Sequence, residues 1–377
     1  MTGPTGIGII GCGNISTTYL ERIPRFAGLD LRAVADLDPA KAKVQAERFD
    51  IRAETVDDLL LAPDIDIVVN LTIPRAHFDV TSAILKAGKH AYSEKPVVLS
   101  SEQGAALWDL TTITGCRVGA APDTFLGGAH QQARAALDAG RIGDVVAGTA
   151  HVMNHGMEHW HPDPDFFFLP GAGPLLDLGP YYITNLIQLL GPVRRVAGLS
   201  TTPSATRTIG SEPRHGERIA VKTPTNVHAL LDFVCGATIT LSTSWDVWSH
   251  RHGPMELYGS EGSMFLTDPN WFSGDVEIVD RNGTATTLSG SDHPFGVPNQ
   301  DCDGERRANF RGAGLADMAA ALKEGRPHRC ALDMALHAVD VMTSILMAGE
   351  RGEVLGVDST CQRPAPLNAG AAEALLR

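Results

Sequence analysis

The first 120 residues alternate short apolar runs with longer stretches in which apolar positions recur every three or four residues. Ile7, Ile9 and Ile10 form a β-branched run that breaks at Gly11-Cys12-Gly13. Further runs follow at 31–35 (LRAVA), 65–70 (IDIVVN), 90–92 and 117–120. The segments 17–26, 41–49 and 76–87 between them read as helices, the last closed by Gly88. A strand buried on both faces shows as a continuous apolar run, and helices between such strands place them in one sheet covered on both sides. The pattern predicts an α/β unit, a doubly wound parallel sheet. Past Phe125 the period shortens to two. Residues 226–234 alternate Val227, Ala229, Leu231 and Phe233, turn at Cys235-Gly236 and return through Ile239, Leu241 and Trp245. Residues 255–258 and 263–266 flank Gly259-Ser260-Glu261-Gly262, and 276–287 folds about Asn282-Gly283. Alternation punctuated by glycine turns predicts hairpins. The second part is therefore expected to be an α+β domain with a largely antiparallel sheet that leaves one face open, and the predicted division is 1–124 and 125–377.

A chain of 377 residues suits two such domains. Its net charge of −13 disfavours nucleic acid or an anionic membrane as the main partner, because both carry the same sign. No run of 18 apolar residues occurs, and the start MTGPTGIGII lacks a basic segment followed by a long apolar one. The six cysteines form no CxxC pair and are expected to be reduced thiols in the cytoplasm.

The turn Gly11-Cys12-Gly13-Asn14-Ile15-Ser16 supplies the first candidate chemistry. Gly11 permits a tight turn and Gly13 lets the backbone approach a pyrophosphate. The free N–H groups of the following helix, at Asn14, Ile15 and Ser16, carry the positive dipole end that binds it. Ser16 stands where a third glycine or alanine is usual. Asp36 closes the second strand, where a carboxylate accepts from ribose hydroxyls and repels a 2′-phosphate, so NAD is expected rather than NADP. Asp38, just before Pro39, can cap the next helix and leaves Asp36 to the ribose. In open parallel sheets ligands bind at the carboxyl ends of the strands. Thr72, Pro74, His77, Glu94 and Lys95 lie there and complete the expected cofactor set.

GIIGCGNIS, the acidic Asp36 and GKHAYSEKP together resemble the Gfo/Idh/MocA oxidoreductase family, a Rossmann domain followed by an α+β domain. GSEG and RGAGLADMAAALKEGRP extend the resemblance to the second half. It implies that Lys95 meets the substrate and the nicotinamide ribose, and that the Lys95–Pro96 bond is cis. It further implies that GAGPLLDLGPY, residues 171–181, is the helix that presents an aspartate and, four residues later, a histidine to the substrate. Here Tyr181 replaces that histidine. The i, i+4 spacing sets Asp177 and Tyr181 on one helical face, and Pro180 between them must lie in a first turn or at a kink. The implied activity is an NAD-dependent dehydrogenase of a sugar, polyol or related hydroxyl compound. In it Lys95 is the principal acid–base and polarising group, its charge loosened by cations or apolar walls. Tyr181 is its partner or alternate proton donor, and Asp177 orients the substrate hydroxyl.

The tract HVMNHGMEHWH carries His151, His155, His159 and His161. It is expected to be a loop offering His155, His159, Trp160 and His161 to a sugar, with imidazoles bonding hydroxyls and the indole covering a pyranose face. The spacing of His155 and His159 lacks further ligands, so no metal is expected. The open sheet face predicts a homodimer or homotetramer. Three other readings share the scaffold: cleavage of a glycosyl substituent with transient use of NAD; nucleotide sensing without catalysis, against which the presence of Lys95 and Asp177 argues; and hydride exchange between two sugars on a tightly held NADP, against which Asp36 argues.

Overall fold

A computed structural model describes residues 3–302 and 304–377. The first sheet has six parallel strands: β1 (Thr5–Ile10), β2 (Leu29–Ala35), β3 (Arg52–Ala53), β4 (Ile67–Asn70), β5 (His90–Ser93) and β6 (Val118–Ala120). They are ordered β3-β2-β1-β4-β5-β6. Every residue of β1 is buried, which is why its glycines and isoleucines form an unbroken apolar run. Between the strands lie α1 (Asn14–Arg22), α2 (Pro39–Phe49), α3 (Val56–Leu61), α4 (Pro74–Lys86) and α5 (Ser101–Thr114). Side-chain oxygens fix several helix starts: Asp38 accepts from the Ala40 N–H, Thr55 from Asp58 and Ser100 from Gln103. The strand order reverses between β1 and β4, and the crevice at that point is where such sheets bind ligands.

The chain continues through α6 (Gly128–Asp138), β7 (Val145–Met153), α7 (Pro174–Leu190) and β8 (Val193–Thr201), then the short pair β9 (Thr206–Thr208) and β10 (Arg218–Ala220). The three hairpins expected from the alternation are present. They are β11 (Asn226–Phe233) with β12 (Thr238–Ser244), β13 (Met255–Gly259) with β14 (Gly262–Leu266), and β15 (Asp275–Asp280) with β16 (Ala285–Ser289). A further pair, β17 (Gln300–Cys302) and β18 (Glu305–Arg307), precedes α8 (Ala313–Glu324), α9 (Leu332–Arg351) and β19 (Leu355–Gly356). The large sheet is ordered β16-β15-β14-β13-β7-β12-β11-β8-β19.

β7 corrects the sequence reading in one respect. It inserts between β13 and β12 and runs parallel to β12, so the sheet is mixed. His151 belongs to this strand, paired with Ser242, and not to a loop.

α7 and α9 cover one face of this sheet. A Cβ on Gly198 of β8 would stand 2.8 Å from the Ile345 carbonyl, so the bare glycine lets α9 lie directly on the strand. α9 is long and apolar enough to cross a membrane, but more than half of it is buried inside the protein, as a core helix is. The other face stays open, with Leu199 69% and Leu230 49% exposed on adjacent strands. The chain's last segments return to the first sheet: Ala120 N–H donates to the Cys330 carbonyl and Ala27 N–H to that of Leu375.

Candidate active site

Gly11 has φ +104°, and a Cβ there would meet the Leu71 carbonyl at 2.7 Å, so only glycine closes the turn against the end of β4. Gly13 caps α1 with no side chain, and nothing lies within 4 Å of where its Cβ would be. Open space thus stands over the start of α1, where Asn14 and Ile15 present their N–H groups; the Ser16 N–H, expected to be free, instead donates to the Gly13 carbonyl at 3.1 Å. Asn14 is exposed and Ile15 half-buried, whereas Ser16 is fully buried and donates to the Gly13 carbonyl at 2.6 Å. The hydroxyl therefore ties the turn to itself. Asp36 accepts from Cys12 N–H at 2.7 Å and from Asp38 N–H at 2.9 Å, which fixes its carboxylate beside the glycine turn. Burial and the Asp36 charge push the Cys12 thiol up to about 11, so it is no nucleophile here.

On the neighbouring strand end, Thr72 donates to Asn70 Oδ1 at 2.6 Å and Pro74 opens α4. His77 is buried, and its ring nitrogens lie 2.7 Å from the Pro96 carbonyl and 2.9 Å from that of Thr72. Both nitrogens are thereby committed to backbone. In place of the expected cofactor contact, His77 braces the loops after β4 and β5. Glu94 is also engaged inward, accepting from the Tyr19 hydroxyl at 2.9 Å and from the Lys95 N–H at 3.0 Å.

The Lys95–Pro96 bond is cis, and the Lys95 side chain reaches across to α7. Its Nζ donates to Asp177 Oδ1 at 2.8 Å and to the Asp177 carbonyl at 2.6 Å, and lies 5.4 Å from the centre of the Tyr181 ring. α7 is continuous, with Pro180 inside it. Pro180 has no N–H to give the Leu176 carbonyl, and a helix loosens where that bond is missing. The carbonyl next in line is the one that accepts from Lys95. Asp177, in the first helical turn, also sits where the macrodipole favours a carboxylate. One of the expected reasons for Lys95 acting as a base is overturned. Burial alone would lower its pKa, but the charges of Asp177, Tyr181 and Glu94 outweigh that and hold it above the usual lysine value. Its ion-pair partner is the Asp177 carboxylate and not a cation, so it is an ammonium donor.

Two groups that the sequence reading left out stand behind this trio. Asp123 is buried, and its Oδ2 accepts from Gly312 N–H at 2.8 Å and Gly314 N–H at 3.1 Å, capping α8 from the far end of the chain. Burial pushes its carboxyl up to about 6, against the pull of those N–H groups and Arg311. Arg311, half-buried, donates from Nη2 to the Asn270 carbonyl at 3.3 Å and to its Oδ1 at 3.1 Å; burial would lower its pKa, but the carboxylates of Asp123 and Glu94 help to raise it. An arginine just before a helix N-terminus opposes the dipole, and that was the available signal of a separate demand on the residue.

The histidine tract is organised around its own small core of Met157, Phe168, Ile209, Ile219 and Trp245. His155 stacks on Trp248 with centroids 3.3 Å apart, and His161 packs edge-on against Trp160, Phe166 and Phe167. The lobe is held by Arg207, buried with Glu158 at 2.8 Å and paired with Asp246. His159 and Trp160 are exposed. None of the four histidines shares a hydrogen bond or ring contact with Lys95, Asp177 or Tyr181. Among the described residues, no group of three or more His, Cys, Asp or Glu has metal-binding geometry.

Comparison with known proteins bears on this arrangement. Residues 5–121 match the model of an oxidoreductase family with an NAD-binding Rossmann fold, and residues 130–265 match that of the GFO/IDH/MocA C-terminal domain. The dTDP-3,4-didehydro-2,6-dideoxy-alpha-D-glucose 3-reductase of Saccharopolyspora spinosa is 31% identical over 298 residues, 77% of this chain and 83% of its own. The chain belongs to the Gfo/Idh/MocA oxidoreductase family. Another relative, the inositol 2-dehydrogenase/D-chiro-inositol 3-dehydrogenase of Lactiplantibacillus plantarum, is 35% identical over 103 residues. That match spans 26% of this chain and only 29% of the relative's length. Levoglucosan dehydrogenase, solved with NADH and L-sorbose, has the same fold at a TM-score of 0.80, with 19% identity over 95% of this chain and 100% of that one. The first domain is accordingly an NAD-binding one, and its residues fit the cofactor. The space over Gly13 admits a pyrophosphate, and the Asp36 carboxylate keeps lone pairs for ribose hydroxyls beyond the two N–H groups it accepts.

Proposed function

We propose that this protein is an NAD-dependent dehydrogenase acting on the hydroxyl of a sugar, polyol or related carbohydrate. The observation that carries the reading is the Lys95 ammonium held on the carboxylate and carbonyl of Asp177 beside Tyr181, at the edge of an NAD-binding sheet. Bound NAD supplies the hydride acceptor. Gly13, Asn14 and Ile15 would hold its pyrophosphate through backbone N–H groups, with Gly11 and Ser16 shaping the turn through their bonds to the Ala35 and Gly13 carbonyls, Asp36 would hold its ribose, and Thr72 and Pro74 would border it.

Lys95 donates to the carbinol oxygen and stabilises the negative charge that grows there as the proton leaves. Tyr181 takes that proton, or returns it in the reverse direction. Asp177 keeps Lys95 charged and accepts from a neighbouring substrate hydroxyl. Of the histidine lobe, the exposed His159 and Trp160 are left to meet the sugar. The reading also places the cofactor domain at 1–124 and the substrate domain at 125–377. It pairs copies of the chain through the open sheet face that shows Leu199 and Leu230. Six free cysteines support a cytoplasmic location.

Lys95→Met keeps the side chain's length and removes its charge. Turnover is expected to fall by about three orders of magnitude, as loss of a charged stabilising donor does, while NAD binding by calorimetry changes little. Equal loss of both would contradict the assignment.

A further inference from the structure

Tyr19 lies on the buried side of α1, about 7.5 Å along the helix from Asn14 at its start. Its hydroxyl donates to Glu94 Oε1 at 2.9 Å, and the other oxygen of that carboxylate accepts from the Lys95 N–H at 3.0 Å. Glu94 is itself pinned at the end of β5. Its N–H donates to the Asn70 carbonyl at 2.9 Å, and its carbonyl accepts from Ser93 Oγ at 3.1 Å. On the other side of Lys95, a ring nitrogen of His77 lies 2.7 Å from the Pro96 carbonyl. The Lys95 backbone is thus held on both sides, and its side chain ends on Asp177 with bonds of 2.8 and 2.6 Å from Nζ. A continuous run of contacts therefore leads from α1 through Tyr19 and Glu94 to Lys95 and its ammonium.

A buried hydroxyl needs a partner, and any backbone carbonyl would have served. Here the partner is the carboxylate immediately before Lys95, and a hydrogen bond to a charged acceptor is about twice as strong as a neutral one. Burial, reinforced by the Glu94 charge, pushes the Tyr19 hydroxyl well up, so it keeps its proton and stays a donor. A lysine carries its charge on a flexible stem, so the place of the ammonium is set by where the backbone stands and by what the far end meets. Asp177 supplies the far end. We propose that Tyr19 is a positioning residue of the dehydrogenase reaction: by fixing Glu94 it fixes the Lys95 backbone against the helix that receives the pyrophosphate, and so places the ammonium for the carbinol oxygen. This rests on the dehydrogenase reading above. The cofactor seat and the polarising group then form one unit, because the start of α1 meets NAD and its middle holds the strand end that carries Lys95. Displacing a catalytic group by 1 Å can cost about 10²-fold in rate.

The test uses the full-length protein and the variants Tyr19→Phe, Glu94→Gln and the two together. Tyr19→Phe keeps the ring and removes only the hydroxyl. Its kcat for carbohydrate oxidation should fall about tenfold, while the Kd for NAD by calorimetry stays within about twofold of the wild type. Glu94→Gln leaves one acceptor for two donors and should show the same split, which carries the test if Tyr19→Phe does not fold. Because Tyr19 acts through Glu94, the double variant should be no slower than Glu94→Gln. Three results would each overturn the proposal: wild-type kcat in Tyr19→Phe, loss of kcat and NAD affinity in step, or losses that multiply in the double variant.

A second readout needs no substrate: the magnetic resonance signal of the Lys95 ammonium in protein whose lysines carry the heavy nitrogen isotope at Nζ. The signal is identified by its absence in Lys95→Met. Held on the Asp177 carboxylate, the ammonium should give a signal distinct from those of exposed lysines. In Tyr19→Phe that signal should broaden and move toward theirs. A Lys95 signal that is the same in Tyr19→Phe as in the wild type contradicts the role of Tyr19. If the signal responds as expected but no carbohydrate reduces NAD with the wild type, it is the dehydrogenase reading that has failed.

Discussion

Two glycines two residues apart do opposite jobs at the cofactor turn. Gly11 is required by the backbone, because its φ is positive and a Cβ would strike the Leu71 carbonyl. At Gly13 nothing in the protein requires a glycine, because the space around it is open, and in the proposed function that space is left to the pyrophosphate. Gly11→Ala is expected to lower Tm, with a cost of about 1–3 kcal/mol for backbone strain. Gly13→Val should keep the wild-type Tm and weaken NAD binding by at least about tenfold, since a branched side chain stands where the pyrophosphate approaches. Melting curves with and without NAD separate the two. If both variants lose stability alike, the open space over Gly13 is not a ligand site. At this scale the turn, Asp36, Lys95 and Asp177 with Tyr181 were legible, because each sits at a fixed offset from a strand end or helix start. Arg311 and Asp123 were not. Asp123 reaches the start of α8 through its bond with Gly312, the residue after Arg311 and 189 positions along the chain, and no period or spacing encodes it. His77 was read as a ligand contact because a polar residue at a strand's carboxyl end looks the same whether it faces the cofactor or props the loops beside it.

Among the elements, α7 and the histidine lobe show how far local pattern carries. The hairpins announced themselves through alternation and glycine turns. β7 did not, because VVAGTAHVM sits in the middle of the sheet, where small residues and threonine blur the period of two, and its parallel partner β12 lies far along the chain. The histidines then looked like one loop, although the first is in a strand and the others belong to a lobe with its own core. That lobe hangs on Arg207. Arg207→Ala would leave Glu158, whose side chain is 5% exposed, as a buried charge without its partner. Losing one partner of such a pair costs about 3–5 kcal/mol. Because the lobe has a separate core, the expected result is local opening. Limited proteolysis should cut within 154–173 in the variant while the two sheets stay intact. Global unfolding at the same protease level would show that the lobe is part of the main core.

For the whole molecule, buried histidines set the response to acid. His90, His130, His151, His155, His293, His328 and His337 all have lowered pKa values, with burial the leading cause. For His130, buried with Nε2 on the Trp271 carbonyl, the value falls from 6.5 to about 4. A histidine depressed in the folded state contributes stability that is complete above its unfolded value and is lost as pH falls toward the folded one, because the unfolded chain takes up the proton first. Asp123, raised from 3.8 to about 6, works the other way over its own range, but the histidines outnumber it. Stability should therefore decline from pH 6.5 to about 4, and His130→Gln should flatten the decline by on the order of 3 kcal/mol in urea unfolding. A decline of the same steepness in the variant would remove His130 from this account.

The central claim is that the charged Lys95, set by Asp177 beside Tyr181, polarises a carbohydrate hydroxyl for oxidation by bound NAD. Its most direct test is the absorbance of reduced nicotinamide on mixing the protein and NAD or NADP with aldoses, inositols, sugar acids and glycosides, using Lys95→Met as the blank. Reduced cofactor should accumulate with at least one of these classes, faster with NAD than with NADP, and not with the variant. No reduction with any class, or equal reduction by wild type and Lys95→Met, would contradict the account.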